Sequence, residues 1–230
     1  MHGLPLSGGG QVPLCLLRFQ AKDFDPSWFA SHALPCPPSI AASVRKRQAE
    51  YFHGRLAARQ ALARYGLAHI EVTTGAQREP CWPTGIIGSI SHNNDYAAAV
   101  ALRNSEHGAI GIDIETVLDA SGAAAVARIA LDAGELEWLR RQAGPASMEL
   151  LLTMVFSAKE SFYKAAFPAV GHIFDFSAVR ISALDLAEGA LELELCVTLC
   201  ATLPAGMRRR VLVRMLDART VCTSCDWARV

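Results

Sequence analysis

Apolar and acidic residues alternate strictly along Gly111-Ile112-Asp113-Ile114-Glu115, which is the period of a β-strand. Ile112 and Ile114 then face a core. Asp113 and Glu115 share the other side, roughly 6.6 Å apart along the strand. Val12 to Phe19 reads as an earlier strand and Tyr96 to Leu102 as another. After Pro168 the alternation returns in blocks at Ala178–Ile181, Leu191–Leu199 and Arg210–Leu216. Within them, Leu191-Glu192-Leu193-Glu194-Leu195 describes a sheet with one wet face. The residues that follow, to Val230, carry no usable pattern. Helical spacing takes over in two long stretches. Arg45 to Tyr65 is a basic helix with an apolar side from Ala49, Phe52, Leu56, Leu62 and Ala63, stopped by Gly66. Met148 to Phe167 lines up Leu151, Leu152, Val155, Ala158, Phe162, Ala165 and Ala166. At 100° per residue Glu160 falls about opposite that stripe and Lys164 beside it. A shorter helix spans Asp132 to Arg141 and ends before Gly144-Pro145. Ser39 is the expected N-cap after Pro35, Pro37 and Pro38, and Ala120 to Ala125 is expected to be a loop.

Composition narrows the class. The chain has 230 residues, 51% hydrophobic and 19% charged, with zero formal net charge. That supports one large domain or two small ones and gives no electrostatic case for nucleic acid or an anionic membrane. No apolar run reaches membrane-span length, and the N-terminus lacks the pattern of a secretory signal. Seven scattered cysteines read as reduced thiols of a cytoplasmic protein. The lone Cys222-x-x-Cys225 lacks the further ligands of a zinc site.

The chemistry gathers in a few places. Two carboxylates as close as Asp113 and Glu115 are either well solvated or hold a cation. Oxygen-only ligands suit a hard ion such as Mg²⁺. Gly75 to His92 is a punctuated loop leading into Ser89, Ser91 and His92, which with Arg78 are suited to phosphate oxygens. Gly54 in mid-helix invites a close approach to the backbone of the basic helix. Glu160 and Lys164 also fit an ordinary exposed i,i+4 pair. Arg103 to Gly108 separates two halves, 1–105 and 106–230. A faint echo links them, Phe52-His53-Gly54-Arg55 against Phe156-Ser157-Ala158-Lys159.

Four stretches in order give a resemblance: Gly54-Arg55-Leu56-Ala57-Ala58; Arg78-x-Pro80-x-Trp82-Pro83-x-Gly85 into Gly88-Ser89-Ile90-Ser91-His92; Gly111 to Glu115; and Phe156-Ser157-Ala158-Lys159-Glu160-Ser161-Phe162-Tyr163-Lys164. Together they resemble the 4'-phosphopantetheinyl transferases of the monomeric surfactin-type class, in particular its enterobactin-synthase component D branch. The resemblance spans residues 54 to 164. It implies an α+β pseudo-dimer of two similar helix-plus-antiparallel-sheet halves with the active site in the cleft between them. It implies an enzyme that moves 4'-phosphopantetheine from coenzyme A to a serine of an apo carrier protein and releases 3',5'-ADP. The carrier would belong to a peptide, polyketide or fatty-acid synthase, with siderophore assembly suggested by the branch. In this sequence Asp113, Glu115 and Glu160 would hold Mg²⁺, with Glu160 as base and Lys164 at the leaving phosphate. Lys159, His92 and Ser91 would contact the pyrophosphate. Arg55 and Arg78, the latter in the coenzyme A nucleotide-binding N-terminal half with Arg55, would grip the 3'-phosphate. A metal-dependent phosphodiesterase or nuclease, or a non-catalytic coenzyme A or carrier-binding module, remains the alternative.

Overall fold

A computed structural model describes every residue except Met1, Ala143, Pro145 and Val230. The architecture is mixed helix and antiparallel sheet. The first sheet is built from β1 (His2–Pro5), β2 (Gln11–Arg18), β5 (Ile86–His92) and β6 (Tyr96–Arg103), in the order β1-β2-β6-β5. A two-stranded hairpin, β3 (Thr73–Thr74) and β4 (Pro80–Cys81), precedes β5. The second sheet runs β7-β11-β10-β9-β8, from β7 (His107–Thr116), β8 (Val179–Asp185), β9 (Ala190–Leu195), β10 (Arg208–Asp217) and β11 (Thr220–Ala228). Among the described residues there are also six α-helices, α1 (Trp28–Ser31), α2 (Pro38–Ala41), α3 (Arg45–Ala63), α4 (Ala120–Ala130), α5 (Ala133–Gln142) and α6 (Met148–Val170), and one 3-10 turn at Phe176–Ala178.

Side-chain alternation sets the layers. On β6, Ala98, Val100 and Leu102 join Ile110, Ile112, Ile114 and Cys222 in a core between the two sheets. Ala99 and Ala101 point the other way and pack under α3. On the far side, α6 lies against the second sheet through Leu151, Val155, Ala158 and Phe162. β7 is therefore covered on both faces, and its acidic side looks at α6 rather than at water.

Close packing of α6 on β7 depends on Gly111. A Cβ there would meet the Ser161 carbonyl oxygen at 1.9 Å and the Ala165 nitrogen at 2.6 Å. Both are backbone atoms and cannot swing away. Gly111→Ala is expected to lower stability by at least about 1–3 kcal/mol, read as an earlier denaturation midpoint at unchanged slope. Gly54 plays the milder version. A Cβ at that position would meet Ile90 Cγ2 at 3.1 Å, so what approaches the basic helix is β5.

Several expectations change. Ser39 caps nothing: Pro37 occupies the N-cap of α2, and Val44 that of α3. Residues 120–125 are helical, because the Asp119 carboxylate accepts the Gly122 N–H at 2.7 Å and starts α4. Asp132 and Glu135 form a reciprocal cap on α5; the Pro145 expected after its end lies outside the described residues. α6 passes through Pro168 to Val170 and closes on Gly171, whose φ is +73°. The patternless C-terminal stretch is β11, which pairs with β7 and β10 and is the buried second strand of its sheet. A strand covered on both faces need not alternate. Cys222 and Cys225 on β11 belong to different cores, one on each face. Burial pushes the Cys222 thiol up to about 12. Neither thiol is placed for a shared metal or redox role.

Candidate active site

The two sheets meet where β5 runs alongside β7. Among the described residues no backbone ladder joins them at this edge. The Ser89 hydroxyl accepts the Ile112 N–H at 3.0 Å, and the Ser91 hydroxyl accepts the Ile114 N–H at 3.1 Å. Two serine side chains thus satisfy backbone donors that burial would otherwise leave unpaired.

The same junction holds Asp113, which is only 3% exposed. Its Oδ1 accepts from Ser91 Oγ at 2.9 Å and from Lys164 Nζ at 2.6 Å, and its Oδ2 accepts from Ser157 Oγ at 2.8 Å. Lys164 Nζ also donates to Ser91 Oγ at 3.1 Å. Ser91 therefore gives its one proton and fills both lone pairs. Lys164 is bound to Asp113, not to Glu160 one turn earlier on α6.

Glu115 and Glu160 stand close enough to feel this charge. Burial pushes the Glu115 carboxyl up to about 7; the neighbouring Asp113 and Glu160 carboxylates add to this and Lys164 opposes it. Burial likewise raises Glu160, with Lys164 opposing and Asp113 adding. In this window the unfolded chain has released a proton that the folded protein keeps on Glu115. The metal-free protein is therefore expected to lose stability as pH rises from about 4.5 to about 7, by on the order of 3 kcal/mol from this carboxyl. Thermal melting across that range checks it, and Glu115→Gln is expected to flatten the profile.

Glu160 and Lys164 line a groove of about 800 Å³ that also takes in Arg78, Trp82, Gly88 and Tyr163. Its size lies within the range of roughly 300–1,000 Å³ usual for small-molecule sites. A second cavity of about 160 Å³, with Phe174 and Phe176 in its wall, shares Glu160 and Tyr163. Three buried N–H groups have no partner among the described residues: Trp82 Nε1 and Arg209 Nε, on residues that line the groove, and Arg55 Nε, on a residue outside its lining.

Arg55 and Arg78 are both tied to the β3–β4 hairpin. Arg55 stacks over the Tyr51 ring at 4.6 Å and donates to Thr74 Oγ1 at 2.7 Å. Arg78 sits in the connecting turn with φ +70°, a left-handed conformation that costs a non-glycine residue roughly 1–2 kcal/mol. His92 lies at the end of β5. Its Nε2 is 3.2 Å from Arg47 Nη1, and its Nδ1 is 3.9 Å from Glu50 Oε2. A guanidinium can only donate, so Nε2 accepts and the ring is neutral. Burial lowers its pKa, with Glu50 opposing.

Lys159 makes no contact with Asp113 or Lys164 among the described residues, although it borders the smaller cavity beside Glu160 and Tyr163. It is 1% exposed, and its ammonium lies 2.9 Å from Glu135 Oε1 and donates to the Ala130 carbonyl at 2.7 Å. Glu135 in turn accepts the Ile181 N–H at 2.9 Å. The ion pair locks α6 to α4, α5 and β8. Sequence reasoning did not single out Arg47 and Glu50 as neighbours of His92, or Ser157 as a partner of Asp113. Arg47 and Glu50 share one helix face at i,i+3 spacing, but nothing local says that His92 lies opposite.

The donor chemistry decides whether a divalent cation suits these residues. Asp113, Glu115 and Glu160 offer hard oxygen atoms, and a cation would relieve both the burial and the mutual repulsion that raise Glu115 and Glu160. Among the described residues no three His, Cys, Asp or Glu side chains are grouped closely enough to hold a metal ion, and Lys164 already shares Asp113 Oδ1. The set fits such an ion in charge and donor type.

This arrangement has relatives. Residues 37–102 match the 4'-phosphopantetheinyl transferase N-terminal domain, and residues 109–207 match the 4'-phosphopantetheinyl transferase superfamily. The chain belongs to the 4'-phosphopantetheinyl transferase family and is a transferase. It is 36% identical over 185 residues to the enterobactin synthase component D of Salmonella typhi, covering 79% of this chain and 76% of that protein. It is 38% identical over 147 residues to that of Escherichia coli O157:H7, covering 63% and 68%. To the 4'-phosphopantetheinyl transferase Npt of Nocardia iowensis it is 32% identical over 157 residues, 66% of each chain.

Proposed function

We propose that this protein transfers 4'-phosphopantetheine from coenzyme A to a serine hydroxyl of an apo carrier protein, releasing 3',5'-ADP. The observation that carries the reading is the junction of Asp113, Glu160 and Lys164 beside the large groove, in a chain of this family. In the transfer, a bond forms between the serine oxygen and the β-phosphorus of coenzyme A, and the bond from that phosphorus to the bridging oxygen breaks. Glu160 takes the serine proton; a carboxyl raised by burial is a better base than a free one. Lys164 stabilises the charge gathering on the departing nucleotide phosphate. Asp113, Glu115 and Glu160 would hold Mg²⁺, which when bound neutralises charge on the phosphoryl group.

Arg55, Arg78, His92 and, from its contact with His92, Arg47 are proposed to bind the nucleotide phosphates. The unpartnered Arg55 Nε and the planar guanidinium geometry support this. Ser91 acts through Asp113 and Lys164. Lys159 acts by fixing α6 from within the core.

Two halves, 1–105 and 106–230, with the site in the cleft between them, are supported by the change of sheet between β6 and β7 and by one long helix on each sheet. Carriers of siderophore assembly are proposed from the names of the enterobactin synthase relatives. A monomer is proposed from the resemblance to the surfactin-type class; a cytoplasmic location is proposed from the seven free cysteines, which suit a reducing compartment. Incubation with coenzyme A, Mg²⁺ and an apo carrier, followed by mass spectrometry, is expected to show an added phosphopantetheine on the carrier serine. An unmodified carrier, with hydrolysis of a phosphodiester instead, would overturn the reading.

A further inference from the structure

We propose that Thr74 is a positioning residue that holds the β3–β4 turn so that Arg78 is presented to the groove; this rests on the reading of Arg78 as a ligand of the coenzyme A phosphates. The turn forms part of the groove wall from Ala76 onward. Arg78 stands in it with φ +70°. A non-glycine residue keeps such a conformation only where its surroundings over-determine it. The ladder cannot do this alone. It has two residue pairs, Thr73 with Cys81 and Thr74 with Pro80, and Pro80 has no N–H to give. A hairpin of that size is not stable by itself.

Three sets of bonds supply what the ladder lacks. Inside the turn, the Gly75 N–H donates to the Glu79 carbonyl at 2.8 Å and the Arg78 N–H to the Gly75 carbonyl at 3.1 Å. The Glu79 carboxylate accepts the Gln77 N–H at 2.9 Å. A Cβ at Gly75 would meet that carboxylate at 2.0 Å, so glycine leaves it room to fold inward. At the tip, Gln77 Nε2 donates to the Gly171 carbonyl at 3.2 Å, where the end of α6 leaves carbonyls without helical partners. At the base, Arg55 on α3 donates through Nη2 to the Thr73 carbonyl at 3.2 Å and to the Thr74 hydroxyl at 2.7 Å. The Tyr51 ring lies under this guanidinium, and its hydroxyl is 3.3 Å from Thr74 Oγ1. Thr74 is thus the side chain by which α3 holds the hairpin. It is exposed, so its hydroxyl serves no core. Removing that hydroxyl frees the base of the turn and leaves both arginines in the chain.

Calorimetric titration of coenzyme A into the full chain, without carrier, tests this on a double-mutant cycle, with thermal melting alongside. Thr74→Val is expected to weaken binding by about 3–10-fold, the effect of one lost hydrogen bond to a charged donor. Thr74→Ser keeps the hydroxyl and is expected to retain the wild-type affinity. In an Arg78→Ala background Thr74→Val is expected to have no further effect, because the turn then carries no guanidinium to present. The same weakening in both backgrounds, with or without a lower melting temperature, would show that Thr74 does not act through Arg78 and overturn the inference. Wild-type affinity in Thr74→Val would also overturn it. If Arg78→Ala alone binds coenzyme A like the wild type, the reading of Arg78 as a phosphate ligand fails, and the inference falls with it. A wild type that does not bind coenzyme A would overturn the proposed function itself.

Discussion

Glu160→Gln is expected to cut carrier modification by about 10²–10⁴-fold, the usual contribution of a positioned general base, while leaving the fold intact. The carboxyl is half-buried and its pKa is raised by burial, so its charged form is disfavoured in the folded protein. A neutral, isosteric amide removes that penalty. Above the ordinary carboxylate range the variant should melt no lower than the wild type, and the difference should vanish at acid pH, where both side chains are neutral. Loss of activity with retained or raised stability is the signature of a residue kept for chemistry. Rates on an apo carrier together with melting curves measure both. Parallel losses of activity and stability would contradict the role.

Lys159→Ala is expected to do the reverse. It strips the partner from Glu135, which is itself buried and bound to the Ile181 N–H. Breaking a buried pair from one side typically costs about 3–5 kcal/mol, because the remaining charge is left uncompensated. The Ala130 carbonyl also loses its donor. Denaturant titration should show the loss directly. Any folded fraction should retain its KM for coenzyme A, because the ammonium does not reach the groove cluster. A stable Lys159→Ala protein with a raised KM would instead mean that this lysine contacts the nucleotide, as the family resemblance alone implies.

The contrast between these neighbouring residues illustrates how much of the site was legible in the chain. Asp113, Glu115, Glu160 and Lys164 were marked by spacing and by motif; Lys164 reaches Asp113, and the Glu115 and Glu160 carboxyls feel that charge, but among the described residues the carboxylates do not close into a metal-holding group. Lys159 belongs to the same motif yet turns into the core. On a helix, adjacent residues differ by about 100° in direction, so the order of a motif does not say which way each side chain looks. The Leu191–Leu195 acids were read as a wet face, and Glu192 and Glu194 do pair with Arg180 and Arg208 at the surface. The similar alternation at Asp113 left a solvated face and a cation site both open, and α6 covers that face.

What the sequence determined by itself is local: the strand around Asp113, the apolar stripe of α6, the basic helix α3, and the ordered motifs that mark the family. Those follow from periods of two and 3.6 residues, which depend only on neighbours along the chain. What the tertiary structure alone decided is pairing. It put Thr223 beside Ser157, 66 residues away, and Arg47 against His92, 45 residues away. It also set a strand with no alternation, β11, in the interior. Such partners are chosen by which faces must be buried together and which buried donors must be satisfied, and neither condition is written in any single segment.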